Sequence, residues 1–302
     1  MGFELVNKNF KSYKKIPDLL VAKLTNYLHA RNCNSKGKKT PSDITLAQIF
    51  DFLKEVGIKE GDVIFIHSSW ENLNSGSFSA SELIDALVHY IGDQGTLAMP
   101  AIPNISQVEG ATFKVKRTPS AAGLLTEVFR RYPGVKRSIN LNHSVCALGY
   151  HAEYLTKDHH YSETSWDKNS PYYRLREYDN AWIIGLGVGH RLKVATSLHC
   201  VESALWKENR YFRKLFPKKV CYRYIDMDGN EGEHCYWQRT GQIYTPNISK
   251  YFSKSDLVEE TVAGLDVYAI KAKTLIDRSV DLGKDGKTMY VWPIPFARYF
   301  VR

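Results

Sequence analysis

Residues 61–100 read GDVIFIHSSWENLNSGSFSASELIDALVHYIGDQGTLAMP, and this stretch decides the fold class. The turn Lys59-Glu60-Gly61-Asp62 leads into VIFIH, a short and fully apolar strand. A loop rich in Ser, Asn and Gly follows, then a helix from Ala80 to Ile91. After Gly95, TLAMP is a second strand. Strand, loop, helix and strand in that order predict a sheet flanked by helices.

Upstream, Asp43 is placed to cap a helix running through ITLAQIFDFLKEVGI, where Ile44, Leu46, Ile49, Phe50, Phe52 and Leu53 suit one buried face. Residues 1–40 form a basic N-terminal extension: one helical stretch from Ile16 to Ala30, then the polar linker NCNSKGKK. The main domain is 41–302. Downstream, the pattern predicts a helix over Ala122–Tyr132 ended by Pro133-Gly134, and a strand at SVCALG. A helix near Glu153–Lys157, the strand AWIIGLGVG and a helix through ATSLHCVESALWKE come next. Region 215–245 alternates like a hairpin around Asp228-Gly229; 260–282 reads as helix and TMYVW as a last strand.

At 302 residues with 43% apolar content, the chain buries a core without staples. No run approaches the ~18–20 apolar residues of a membrane span, and the first residues have no signal-peptide core. Five cysteines (Cys33, Cys146, Cys200, Cys221, Cys235) without a C-x-x-C fit free thiols in a reducing cytoplasm. The net charge of +9 is unevenly placed. Residues 1–40 hold nine Lys/Arg against two acids, and 111–138 hold seven against Glu127 alone, so the remainder is mildly acidic. That distribution predicts anion binding at a defined place, not a nucleic-acid coat.

Several motifs fail on inspection. Gly185, Gly187 and Gly189 give G-x-G-x-G, without the spacing or chain position of a dinucleotide fingerprint. Gly286-Lys287-Thr288 lacks the first glycine of a phosphate loop and precedes a strand. There is no G-x-S-x-G elbow. His199 and Glu202, three apart on a predicted helix, supply only two ligands, so no metal is expected.

Three polar segments remain, each at the mouth of an apolar element. His67-Ser68-Ser69 ends the first strand; Thr118-Pro119-Ser120 precedes a helix that Arg137-Ser138 follows; Thr196-Ser197-Leu198-His199 opens another helix. Hydroxyls and N–H groups at helix starts receive anions, Lys136 and Arg137 suit phosphates, and His199 is the natural general base near neutral pH. From the residues alone, this is a site that handles an anionic ligand with base catalysis.

The wording and order of GDVIFIHSS, GTLAMP, TPSAAGLLTEVFRRYPGVKRS, NSPYYRL and IIGLGVGH with ATSLHCVE resemble the aminoglycoside 3-N-acetyltransferase (antibiotic N-acetyltransferase) family over roughly residues 44–290. The resemblance implies that family's α/β fold, a mixed central β-sheet flanked by helices. It implies acyl transfer from a coenzyme A thioester, acetyl-CoA or a longer acyl-CoA, to an amine on a sugar ring. On that carry-over, His67, Ser68 and Ser69 line the thioester path, while Thr118, Ser120, Arg137 and nearby basic residues meet the coenzyme's phosphates. His199 matches the family's active-site histidine and Thr196 its threonine. A carboxylate further along the chain pairs with the histidine; among Asp228, Glu231 and Glu233, the reading favours Glu233 over Asp228 and keeps Glu202 in reserve.

The chain departs from the family pattern where Asn140-Leu141 replace His-Pro, where YWQRTGQIY replaces an acidic run, and at His190-Arg191. Fewer acidic groups on the acceptor side, together with the basic zone, favour a nucleotide-linked amino sugar destined for a surface polysaccharide. The alternatives are an aminoglycoside acceptor, as in antibiotic resistance, and a non-catalytic acyl-CoA-binding protein; retention of both Thr196 and His199 argues against the last.

Overall fold

The structure, a computed structural model, describes residues 43–73 and 77–300. The expected helix from Ile16 to Ala30, the linker with Cys33 and the boundary after residue 40 lie outside the described residues.

Helix α1 spans Leu46–Glu55. Its cap is Thr45, not Asp43: Thr45 Oγ1 accepts the Gln48 N–H at 3.3 Å, and Gln48 Oε1 accepts the Thr45 N–H at 3.0 Å. Two otherwise orphaned donors are thereby satisfied reciprocally, which a lone Asp43 does not do. Strand β1 (Val63–Ser68) follows, then α2 (Ala80–Ile91), capped in the same way by Ser79 and Glu82, and β2 (Thr96–Pro100). Next come β3 (Thr112–Lys114), α3 (Leu124–Arg130), β4 (Lys136–Arg137), β5 (Val145–Gly149) and α4 (Ala152–Thr156). Strand β6 (Ala181–Leu186) leads through a tight turn at Thr196–His199 into α5 (Cys200–Leu205). The chain continues with β7 (Lys218–Ile225), β8 (Glu231–Gln238), β9 (Gln242–Ile243), β10 (Leu257–Val262), β11 (Leu265–Lys271), α6 (Ala272–Lys284) and β12 (Tyr290–Trp292).

Seven strands form one sheet in the order β10-β11-β6-β1-β2-β5-β4. Strand β1 runs parallel to both β2 and β6, and the outer pairings are antiparallel, so the sheet is mixed. The period-2 alternation of strands divides its side chains between two cores. Ile64, Ile66, Leu97, Met99 and Ile184 pack with α1, α2 and α3 on one face. Val63, Phe65, Ala98, Ile183 and Ile270 pack with α5 and α6 on the other. A smaller sheet, β3-β7-β8, carries its own core of Phe113, Val115, Leu141, Val220, Tyr222 and Tyr236.

Two expectations are corrected here. The stretch 260–282 is not one helix: β10 and β11 form a hairpin turning at Ala263-Gly264, both at positive φ, and the helix begins only at Ala272. Val258, Thr261, Val262 and Val267 are β-branched and favour the pleated state. The cysteines are not all free either. Strands β7 and β8 place Cys221 opposite Cys235, and the two form a disulfide; Cys146 and Cys200 are free and buried. That pairing depends on hairpin register, which cysteine spacing alone does not reveal.

The G-x-G-x-G run has a packing explanation. A Cβ at Gly185 would sit 2.1 Å from the Tyr268 ring, so the strand can accept that ring only as glycine. Among the described residues, no helix is long and apolar enough to cross a membrane.

Candidate active site

Strands β1 and β6 end side by side, with His67 opposite Gly185 and Ser68 opposite Leu186. The Ser69 N–H donates to Leu186 O at 3.0 Å, so His67, Ser68 and Ser69 lie along the edge where the parallel strands stop. Beyond β6 the loop 187–195 is tied down by the Asn72 amide, donating to Gly187 O at 2.6 Å, and by the Tyr268 hydroxyl, donating to Lys193 O at 3.2 Å. Arg191, Leu192 and Val194 all hold positive φ in this loop, a conformation that persists only where surrounding contacts over-determine it. The loop delivers Thr196 to β1: its N–H donates to His67 Nε2 at 3.4 Å. Burial pushes the His67 ring down to a pKa of about 3, so it meets Thr196 as a neutral acceptor.

One turn later, His199 is buried among aromatic rings, with its centroid 4.8 Å from that of Trp166. Its Nδ1 lies 2.6 Å from Glu202 Oε1, and the Tyr290 hydroxyl donates to the same oxygen at 2.5 Å. An ionised carboxylate only accepts, so the proton between them belongs to Nδ1 and the lone pair faces outward at Nε2. Nε2 makes no hydrogen bond among the described residues. Burial is the largest influence on this ring and the Arg239 charge the next; both hold it below the ordinary histidine range, while Glu202 pulls the other way. The net result is a neutral imidazole of fixed tautomer.

The sequence placed the supporting carboxylate elsewhere. Glu233 stands on the exposed side of β8 opposite Arg223, and Asp228 is exposed in the β7–β8 turn, its N–H bound to Asp226. Neither contacts His199. Glu202 does, because a separation of three residues across the Thr196–His199 turn and α5 brings both side chains to one face. Two further buried histidines differ: His159 is held between Ser138 Oγ (2.8 Å) and Ser165 O (3.1 Å), and His234 between the Tyr222 hydroxyl (2.8 Å) and Ser162 O (2.7 Å). Both nitrogens of each are occupied, which marks them as structural.

The second basic zone lines a separate cavity of ≈ 480 Å³ built from Lys116, Arg117, Arg130, Arg131 and Arg137, with Tyr132 and Met227 among the other walls. Arg137 is buried and each of its nitrogens is engaged: Nε by Ser144 Oγ at 3.0 Å, Nη1 by the carbonyls of Val115 and Thr118, and Nη2 by Ala101 O at 2.7 Å. The guanidinium therefore clamps three loop carbonyls and has no free fork for a phosphate, contrary to the sequence reading. Thr118 gives its N–H to Lys114 O, and Ser120 gives its own to Glu127 Oε2. Glu127 also binds Arg130 and Arg131, and these contacts, Arg130 foremost, bring its pKa to about 2. Lys116 and Arg117 remain exposed, without an ion pair among the described residues.

The sequence profile described as aminoglycoside 3-N-acetyltransferase matches residues 65–282, which contain both regions apart from Tyr290. The chain belongs to this family. A Bacillus subtilis relative, the SPbeta prophage-derived aminoglycoside N(3')-acetyltransferase-like protein YokD, is 28% identical over 136 residues, covering 38% of the chain and 50% of the relative. Aminoglycoside N(3)-acetyltransferase IV of a Salmonella species is 32% identical over 158 residues, 52% of the chain and 58% of that enzyme. The chain thus spans little more than half the length of these two relatives. Among solved structures, AAC-IIIb in binary complex with CoASH shares the fold, with a TM-score of 0.64 at 18% identity over 80% of this chain and 97% of that one.

Within the family fold, four side chains around His199 were not singled out from sequence. Tyr290 reaches Glu202 from the far end of the chain. The His143 ring packs 4.6 Å from Trp166, which in turn packs on His199. Arg239 lies close enough to lower the pKa of both His143 and His199. No group of three potential metal ligands occurs among the described residues.

Proposed function

We propose that the chain transfers an acyl group from a coenzyme A thioester to the amine of an amino sugar, with His199 as general base. The observation that carries this is the Tyr290–Glu202–His199 chain, which holds Nδ1 protonated and leaves Nε2 free. A sugar ammonium must lose a proton before its nitrogen can attack a thioester carbonyl. Nε2 is the atom that takes it, and such base catalysis is typically worth ~10²–10⁴-fold. In this reading Thr196 and the His67–Ser69 edge flank the thioester, where the Ser68 and Ser69 hydroxyls favour negative charge on its carbonyl oxygen, the Thr196 and Ser69 N–H groups being already given to His67 Nε2 and Leu186 O. Lys116 and Arg117 receive the coenzyme's phosphates at the mouth of the cationic cavity, and Arg137 shapes that cavity without touching them.

For the acceptor, the relatives' names favour an aminoglycoside. The nucleotide-linked amino sugar rests on the cationic cavity, which the coenzyme's own phosphates explain equally well. The test is thiol release from acetyl-CoA with gentamicin-type aminoglycosides, dTDP- and UDP-amino sugars and simple amino sugars as acceptors. Acceptor-dependent release that disappears in His199→Asn supports the reading. No release with any amine, despite tight acetyl-CoA binding, would leave a non-catalytic binding protein.

A further inference from the structure

Arg239 lies just beyond β8, in the YWQRTGQIY segment, and is only partly exposed. Its guanidinium carbon sits 5.8 Å from the centroid of Trp166, the ring that packs on His199, and 5.8 Å from that of Tyr290, the hydroxyl donor to Glu202. The cation is therefore one ring away from the histidine through Trp166, and one ring away from Glu202 through Tyr290.

Its hydrogen bonds are poor for a group so placed. Nη1 reaches the carbonyls of Thr240 and Gly241 and the Tyr290 hydroxyl only at 3.5, 3.4 and 3.3 Å, and the buried Nε has no acceptor. Among the described residues no carboxylate lies within ion-pair distance of it. Glu202, the nearest acid acting on it, already accepts from His199 and Tyr290 through a single oxygen. A guanidinium partly removed from water and short of acceptors is costly unless something completes its shell. A planar fork of N–H groups is matched by a carboxylate or phosphate. A polycationic acceptor, by contrast, meets a like charge here.

We propose that Arg239 determines acceptor specificity by pairing with an anionic group, carboxylate or phosphate, carried by the acceptor near the amine that is acylated. The inference rests on His199 marking the place of acyl transfer. It separates this chain from relatives named for aminoglycosides, and it adds a positively charged subsite to a pocket that a polycation would want acidic.

Matched probes test it. Binding to the protein with coenzyme A is measured by calorimetry for glucosamine, glucosamine 6-phosphate, glucosaminuronic acid and gentamicin. Acetyl transfer to each is followed in parallel by thiol release. At least one acidic sugar should bind more tightly than glucosamine by about tenfold or more, the factor of one charge-assisted hydrogen bond. Whether the phosphate or the carboxylate gives the larger gain identifies the anion. Arg239→Gln should remove the preference through KM, compared at a pH above the acid limb because loss of this charge also lets the His199 pKa rise, and Arg239→Lys should restore part of it; thermal melting of both checks that they fold. Equal binding of acidic and neutral sugars, or a preference for gentamicin that Arg239→Gln leaves unchanged, overturns the proposal. An Arg239-dependent binding preference without thiol release would sustain the subsite and overturn the acyl-transfer reading instead.

Discussion

The cationic cavity and the His199 pocket both bury charged or titratable side chains, yet they use them in opposite ways. Around Arg137 all three guanidinium nitrogens end on protein acceptors, and three loop carbonyls accept from that single residue. Around His199 one nitrogen is pinned to Glu202 and the other makes no hydrogen bond among the described residues. Saturated groups build shape, and groups saturated on one side only are available for chemistry. Burial of a functional-looking residue says little until its partners are counted. Arg137, the better phosphate candidate by residue type, has each guanidinium nitrogen on a protein acceptor; His199, which resembles His159 and His234 in burial, has a partner on one nitrogen only among the described residues.

The contrast can be broken most forcefully at His199. His199→Asn should lower kcat by ~10²-fold or more while leaving acetyl-CoA affinity nearly unchanged in a binding titration. A melting shift without loss of kcat would put His199 beside His159 and His234 instead. Arg137→Ala should do the reverse, costing ~3 kcal/mol or more in urea denaturation because several buried acceptors lose a charged donor together. Glu202→Gln tests the pinned side of the pair: kcat should fall ~10–10²-fold, as when a supporting partner of a functional histidine is removed, with the fold intact by circular dichroism. The smallest effect belongs to the exposed rim. Lys116→Glu with Arg117→Glu should raise KM for acetyl-CoA by ~10-fold at low salt, with the difference shrinking as ionic strength rises.

The sheet was largely legible in the sequence because its central strands are short apolar runs bounded by turn residues. VIFIH, TLAMP and AWIIGL needed no tertiary information. The β10–β11 hairpin was not legible, since EETVAGLDVYAIK carries apolar residues at spacings that suit either period and its turn is only two residues long. In the candidate site, the pairing of His67 with Thr196 follows from two loops meeting at one sheet edge, and a resemblance of motifs was enough to bring them together. Glu202 carried a local signal, three residues from His199, that was outweighed by a carboxylate expected further along. Tyr290 and Arg239 carried none, because their closeness to His199 is made by β12 and by the end of β8, and no spacing in the chain encodes it.

In the proposed mechanism a neutral His199, proton on Nδ1, takes the proton of the acceptor amine. The most direct measurement is the pH dependence of kcat for thiol release under saturating acetyl-CoA and acceptor, in the wild type and in His199→Asn. Burial and Arg239 lower the pKa of His199, so the neutral base persists above that value and is lost as the pH falls through it. The wild-type rate should therefore hold through neutrality and decline on an acid limb lying below the usual ~6.5 of histidine. His199→Asn should lack that limb and recover partly at high pH, where more of the amine is already free. A His199→Asn enzyme that is folded, turns over at the wild-type rate and keeps the same acid limb would contradict the claim.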